Sequence, residues 1–356
     1  MRFFMPTKLY CEKDCVAGHA AELASMGKKA LIVTGRSSAK KNGSLDDTAA
    51  ALEKYGVGYV LFDRVEENPS VETVLEGAAF GRENGTDFVI GVGGGSAIDA
   101  AKGMALMLAN PDKPWCFMYE STPAGALPVA AVPTTCGTGS EVTGVSVITR
   151  HDLKTKVSLK HKIFPRLALC DGKYLMSAPR SLIVNTAVDT LSHLIESAVN
   201  VLSDRFSDMS TYQGLKLWAE CRPFLEGEAL TAEGAEKLMA ASSLAGISIA
   251  QTGTTVPHSL SYMLTYGEHI PHGPAVGAFE AAYLDCAEDA LKERVLEAAS
   301  FGSCGELGEF ISRLAPIDPD RELLRQSAES VIAKPEKLAL CPFGTSPAVI
   351  MKIAGL

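Results

Sequence analysis

The sequence predicts an α/β domain over residues 1–178, built on a doubly wound, mostly parallel sheet, followed by an all-helical domain over residues 179–356. Three observations carry this. Short β-branched runs alternate with helical patterns in the first half of the chain. Strand-like runs vanish after Ser177-Ala178-Pro179. Between the two regimes of the first half, Gly93-Gly94-Gly95-Ser96 stands where an apolar strand passes into a helix.

In chain order, strands are predicted at Ala30–Thr34, Val57–Phe62, Asp87–Val92 and Leu127–Val132, with helices at Val71–Asn84 and Ala97–Leu108 following two of them. Gly144–Leu159 has alternating apolar positions on either side of a polar turn and predicts a hairpin. Leu167–Leu169 is a last short strand. Ser177 with Pro179 is a helix-start signal. Beyond it the apolar positions recur with a 3.6 period over Leu182–Val201, Ser207–Leu225, Ala232–Gln251, Ala275–Asp289 and Leu291–Phe301.

The chain has 356 residues, 47% of them hydrophobic and 21% charged, which is enough to bury two ordinary cores. A net charge of −9 disfavours a nucleic-acid or anionic-membrane partner. Pro6 and Lys8 arrive too early for a secretory apolar core. The longest uncharged run, Ser121–Ser140, is interrupted by Pro123, Gly125, Pro128 and Pro133 and reads as strand plus loop, not as a membrane span. Nine cysteines lie scattered without a CxxC pair, as expected of free thiols in a reducing cytoplasm.

The Gly93–Ser96 turn lets the backbone bend sharply, and the helix that follows presents free N–H groups suited to a phosphate. It departs from the usual dinucleotide fingerprint, because Gly91-x-Gly93-x-x-Ser96 ends in serine. Alone, such a turn is equally a plain strand–helix connection. A second loop, Pro133-Thr134-Thr135-Cys136-Gly137-Thr138-Gly139-Ser140, also follows a strand and is rich in hydroxyls. Two such loops at the carboxyl ends of strands form the ligand crevice of an open, Rossmann-like α/β sheet. Cys136 reads as a small packing residue of that loop, with no histidine close in sequence.

Among seven histidines, three fall into a pattern with one aspartate. Asp189 and His193 are at i and i+4 on an apolar helical stretch, which sets them on one face. A buried Asp–His hydrogen bond would give the same pattern. His258 and His272 would be ~21 Å apart on an unbroken helix, too far to share an ion. Gly267 and Pro271 interrupt the segment and let the chain fold back. One carboxylate with three imidazoles suits Fe²⁺, Zn²⁺, Co²⁺ or Ni²⁺ and can leave a position open.

These segments together resemble the iron-containing, or group III, alcohol dehydrogenases: GGGSAIDAAK at Gly93–Lys102, PTTCGTGSEVT at Pro133–Thr143, AVDTLSH at Ala187–His193, and His258 through Pro271-His272-Gly273. The resemblance covers nearly the whole chain in order and implies the dehydroquinate synthase-like architecture of that superfamily. It implies Asp189, His193, His258 and His272 as ligands of Fe²⁺ or Zn²⁺. It implies Gly94, Gly95 and Ser96 at the pyrophosphate, Thr134, Thr135 and Thr138 on the nicotinamide side, and Asn68 and Lys156 on the cofactor. The implied reaction interconverts a small primary alcohol and its aldehyde, with the ion as Lewis acid on the substrate oxygen and hydride moving to or from nicotinamide C4. Members are often dimers, so a homodimer is the expectation.

Where some members carry a second histidine four residues after the third ligand, this chain has Tyr262. Tyr262 and His269 are therefore proton-relay candidates, set against packing for the first and a surface position for the second. The alternative reading is a dehydroquinate synthase-like enzyme, or a polyol- or phosphonate-specific member of the superfamily. A phosphorylated substrate needs Arg or Lys near the metal, and Gln251–Tyr266 contains neither. A nucleotide-binding protein without turnover fits poorly with four intact ligands.

The loop after the first predicted strand bears on the cofactor. NAD-preferring relatives often have aspartate at the position of Gly35, where a carboxylate accepts the ribose hydroxyls and repels a 2′-phosphate. Glycine leaves room, and Arg36, Ser37 and Lys40 could supply donors and charge, so NADP(H) is expected over NAD(H).

Overall fold

The computed structural model describes residues 3–356. They divide into two compact units, one comprising Met5–Ala178 with Thr231–Met239, the other Pro179–Leu230 with Ala240–Leu356 and the residues ahead of Met5.

In the α/β unit, β1 (Lys8–Cys11), β2 (Lys29–Gly35), β3 (Gly58–Val65), β4 (Phe88–Gly93), β5 (Val129–Pro133) and β8 (Leu167–Cys170) form one sheet, and β6 (Val147–Arg150) pairs with β7 (Thr155–Ser158) as a hairpin. The large sheet runs in the order β1-β8-β5-β4-β2-β3 with every pairing parallel. Parallel strands need crossovers, and these cover both faces, so central strands are buried throughout. All six residues of β4 are buried accordingly. Strand alternation divides the core in two. Leu31, Val33 and Val89 pack with Val74, Ala101 and Met104 of the helices Val71–Glu83 and Gly95–Ala109. Ile32, Ile90 and Val92 pack on the opposite face with Leu23 and Leu52 of the helices Ala20–Ala24 and Ser44–Glu53.

From β2 the chain winds outward to β3, then returns to the other side of β2 at β4. The strand order therefore reverses between β2 and β4. Ligands of open α/β sheets bind outside the carboxyl ends of the strands at such a switch point. Gly35-Arg36-Ser37 and Gly93–Ser96 are the segments that leave those two ends.

The helical unit is built on Arg180–Ala198, Arg205–Glu220, Val256–Gly267, His272–Asp285 and shorter helices that follow. A Cβ on Gly273 would stand 1.8 Å from the Asn185 carbonyl oxygen, so only glycine lets the His272–Asp285 helix come this close to the Arg180–Ala198 backbone. Trp218 seals the other side, its Nε1–H donating to the Ala187 carbonyl at 2.7 Å.

Some elements differ from the sequence reading. β1 and the helices Cys15–Gly18, Ala20–Ala24, Ser38–Lys41 and Ser44–Glu53 lie outside the predicted elements. The helix expected over Ser207–Leu225 breaks at Cys221 into Arg205–Glu220 and Arg222–Glu226, with Pro223 in the first turn of the second piece. The helix expected from Ala275 begins at His272. No helix among the described residues is long and apolar enough to cross a membrane.

Candidate metal and cofactor sites

The helix Arg180–Ala198 carries Asp189 and His193 one turn apart, and its middle is buried because apolar positions surround both. His258 lies in the first turn of the Val256–Gly267 helix, and His272 is the first residue of the next. The intervening turn at Glu268–Pro271, with His269 in the left-handed region at φ 56°, reverses the chain. Chain reversal brings His272 back to His258, and their ring centroids are 5.3 Å apart.

Asp189 Oδ1 is the centre of the cluster. It lies 3.5 Å from His258 Nε2, 3.8 Å from His272 Nε2 and 3.9 Å from His193 Nδ1. These separations exceed a good hydrogen bond of about 2.7–3.2 Å. Asp189 Oδ1 and His258 Nε2 have no hydrogen-bond partner among the described residues, although both are buried. Buried polar atoms left unpaired are costly and mark a missing partner. Two donors each ~2.1 Å from one tetrahedral ion lie roughly 3.4 Å apart, close to the separations seen. The donor set therefore fits a divalent transition-metal ion.

Electrostatics agree with that reading. Burial pushes the Asp189 carboxyl up, but the imidazoles of His193, His272 and His258 outweigh it and hold the group well below the usual carboxylate range. Burial lowers His258, while Glu196 and Asp189 more than compensate and raise it to about 9. Glu196, fully buried on the same helix as Asp189, bonds His258 Nδ1. Glu280 is buried beside it, and burial together with Glu196 raises its carboxyl well above the ordinary value of 4.5.

Tyr262, one turn after His258, places its ring centroid 6.2 Å from that of His272. His269 is exposed.

The α/β unit contains the second site. Thr134 N–H donates to the Gly93 carbonyl at 2.9 Å, which ties the two glycine-rich loops together where β4 and β5 end. A Cβ on Gly94 would meet Thr135 at 3.1 Å, and one on Gly95 would meet Thr138 at 2.6 Å. The threonines thus lie directly on the loop, and glycine is what admits them. Asn68, in the left-handed region at φ 55°, donates its N–H to Ser96 Oγ at 3.2 Å and accepts from Lys156 Nζ at 3.3 Å. Gly94, Gly95, Ser96, Thr134, Thr135, Thr138, Asn68 and Lys156 are therefore neighbours. Cys136 is buried in its loop.

At the end of β2, Arg36 and Ser37 are exposed. Lys40 forms a 2.6 Å ion pair with Asp63 of β3, a neighbour the sequence reading did not include. A Cβ on Gly35 would have only ordinary contact, 3.5 Å from the Val65 carbonyl.

Sequence reasoning also passed over Glu196, Glu280, Asp99 and Lys102. Glu196 was within reach, because seven residues from Asp189 returns to the same helical face. Lys102, fully buried, donates to Ser140 Oγ at 2.7 Å and to the Val145 carbonyl at 2.6 Å.

The parallel α/β unit thus carries the paired glycine-rich loops, and the helical unit carries Asp189, His258 and His272, whose ligand atoms lie within 4.8 Å of one another, with His193 beside them. The model of the iron-containing alcohol dehydrogenases matches residues 6–172, and that of the Fe-containing alcohol dehydrogenase carboxyl-terminal region matches residues 183–309. The chain belongs to the iron-containing alcohol dehydrogenase family. It is 34% identical over 282 residues to the NADPH-dependent butanol dehydrogenase of Clostridium saccharobutylicum, covering 77% of this chain and 71% of that one. It is 30% identical to the NAD-dependent methanol dehydrogenase of Bacillus methanolicus over 76% of this chain and 72% of the other. The crystal structure of an iron-containing alcohol dehydrogenase from Thermotoga maritima superposes with a TM-score of 0.90 at 35% identity, covering 99% of this chain and 98% of that one.

Proposed function

We propose that this alcohol dehydrogenase interconverts a small primary alcohol and its aldehyde, with Asp189, His193, His258 and His272 holding Fe²⁺ or Zn²⁺. The observation that carries this is the unpartnered pair of buried Asp189 Oδ1 and His258 Nε2, with buried His193 and half-buried His272 beside them. When bound, the ion supplies Lewis acidity toward the substrate oxygen and the nicotinamide supplies the redox couple.

The chain's own residues do the rest. Asp189 and the imidazoles of His193, His258 and His272 fix the place where the substrate oxygen is held. Gly94, Gly95 and Ser96 take the pyrophosphate at the start of the Gly95–Ala109 helix, whose free N–H groups favour an anion. Thr134, Thr135 and Thr138 would line the nicotinamide side, and Asn68 and Lys156, which contact each other beside Ser96, would also touch the cofactor. Tyr262, close to His272, and the exposed His269 are the proton-relay candidates. The residues proposed to hold the ion and those proposed to hold the cofactor belong to different units.

NADP(H) is the preferred cofactor in this reading. Gly35 leaves space for a 2′-phosphate, and Arg36, Ser37 and Lys40 provide charge and donors, each charge-assisted hydrogen bond contributing ~1.5–3 kcal/mol before desolvation. The NADPH-dependent butanol dehydrogenase supports this choice, while the NAD-dependent methanol dehydrogenase marks the alternative. Nine free cysteines accord with a reducing cytoplasm. The test follows nicotinamide absorbance with a panel of short alcohols and aldehydes, using both cofactors, before and after chelation. Chelation-sensitive turnover with NADPH is expected; no turnover with any member of the panel by ion-loaded protein would refute the reading.

A further inference from the structure

Glu196 accepts four hydrogen bonds from one helix start, with the buried Glu280 carboxyl on its other flank. Its Oε1 accepts from His258 Nδ1–H and, at 3.3 Å, from the His258 backbone N–H. Its Oε2 accepts from the Thr255 hydroxyl at 2.7 Å and from the Thr255 backbone N–H. The first N–H groups of a helix have no partner within it, and the N-cap residue usually provides one. Thr255, the N-cap here, makes no side-chain capping bond to its own helix. The cap comes instead from Glu196 on the Arg180–Ala198 helix, on the same face as Asp189 and His193.

We propose that Glu196 is the positioning residue of the ion site: it holds His258 with Nδ1–H turned into the protein and Nε2 turned to Asp189. This rests on the assignment of His258 as a ligand. One side chain thereby fixes the backbone on which His258 sits, the rotation of its ring and its tautomer. An imidazole can present Nε2 to a cation only if the remaining proton is on Nδ1, and a carboxylate at Nδ1 enforces that. Glutamine cannot replace it. All four partners of Glu196 are donors, so the amide NH₂ must face either the Thr255 pair or His258. In the second orientation it drives the His258 proton to Nε2.

The experiment uses full-length protein stripped of metal and titrated with Co²⁺, comparing wild type with Glu196→Gln, Glu196→Leu and His258→Ala. Glu196→Gln is expected to weaken Co²⁺ binding 10–100-fold and to alter the Co²⁺ absorption bands. In Zn²⁺-loaded, ¹⁵N-histidine-labelled wild type, a downfield hydrogen-bonded imidazole proton is expected. It should disappear in both His258→Ala and Glu196→Gln. Glu196→Gln nearly preserves shape, so it keeps the test decisive should Glu196→Leu fail to fold. Wild-type affinity, bands and imidazole proton in Glu196→Gln, with loss of binding in His258→Ala, would overturn the positioning role alone. Unchanged binding in His258→Ala would instead overturn the ligand assignment beneath it.

Discussion

Lys102 donates to Ser140 across 2.7 Å, and Ser140 in turn donates to Asp99 across 2.5 Å. This closed set joins the glycine-loop helix to the end of the threonine-rich loop without any exposure of the ammonium group. Burial lowers the Lys102 pKa from 10.5 to about 8, with Asp99 and Glu141 opposing it. The unfolded chain keeps the higher value, so between these pH values it binds a proton that the folded chain has released. The Lys102 contribution to stability therefore grows as pH rises across that window and is lost as pH falls through about 8. Relative to Lys102→Met, wild type should gain about 3 kcal/mol between the two ends. Urea unfolding of both proteins across the window measures it, and a constant difference would refute the shift.

Gly95 is expected to be irreplaceable for cofactor binding. Alanine would set its Cβ 2.6 Å from Thr138. Gly95→Ala should raise the dissociation constant for NADPH at least tenfold in fluorescence titration, and Thr138→Ser, by removing the nearest methyl, should recover part of the loss in the double variant. Equal affinity in Gly95→Ala and wild type would contradict the contact.

Gly273→Ala tests how His258 and His272 are brought to Asp189 and His193. Helix propensity alone would make alanine better by about 1 kcal/mol. The 1.8 Å approach to the Asn185 carbonyl is to backbone, which cannot rotate away, so the clash wins. The variant should lose roughly 2 kcal/mol or more of stability. Because His272 is the adjacent residue, ion affinity should fall as well. Thermal melts of the ion-free protein and a Zn²⁺ titration separate the two effects.

Gly35→Asp should reverse cofactor preference. The position has room for a side chain, since the nearest atom to a Cβ is 3.5 Å away. A carboxylate there repels a 2′-phosphate and accepts ribose hydroxyls. The kcat/KM ratio for NADPH over NADH should drop at least tenfold. Asp63 already neutralises part of the Lys40 charge, so the expected ratio rests chiefly on Arg36 and Ser37.

The sheet was legible in the sequence because its central strands are continuous apolar runs, such as FVIGV, closed by glycine. β1 was not legible: Lys8–Cys11 is an edge strand, partly exposed, without alternation strong enough to distinguish it from loop. Helix boundaries shifted where proline, not periodicity, decides them, as at His272 behind Pro271 and at the break before Pro223. Asp189, His193, His258 and His272 could be selected by spacing and by family resemblance, and the fold brings them together. What stands behind them could not be selected that way. Glu196 contacts His258 across 62 positions of sequence, and Lys40, on the short helix after β2, meets Asp63 of β3 across 23, so both pairings exist only after folding.

The most direct test is the metal content of the purified protein measured beside its turnover. Wild type loaded with Fe²⁺ or Zn²⁺ should hold one ion per chain, lose turnover on chelation and regain it on readdition. His258→Ala and His272→Ala should each retain little ion and little activity. Undiminished NADPH-linked aldehyde reduction by protein shown to contain no transition metal would contradict the account.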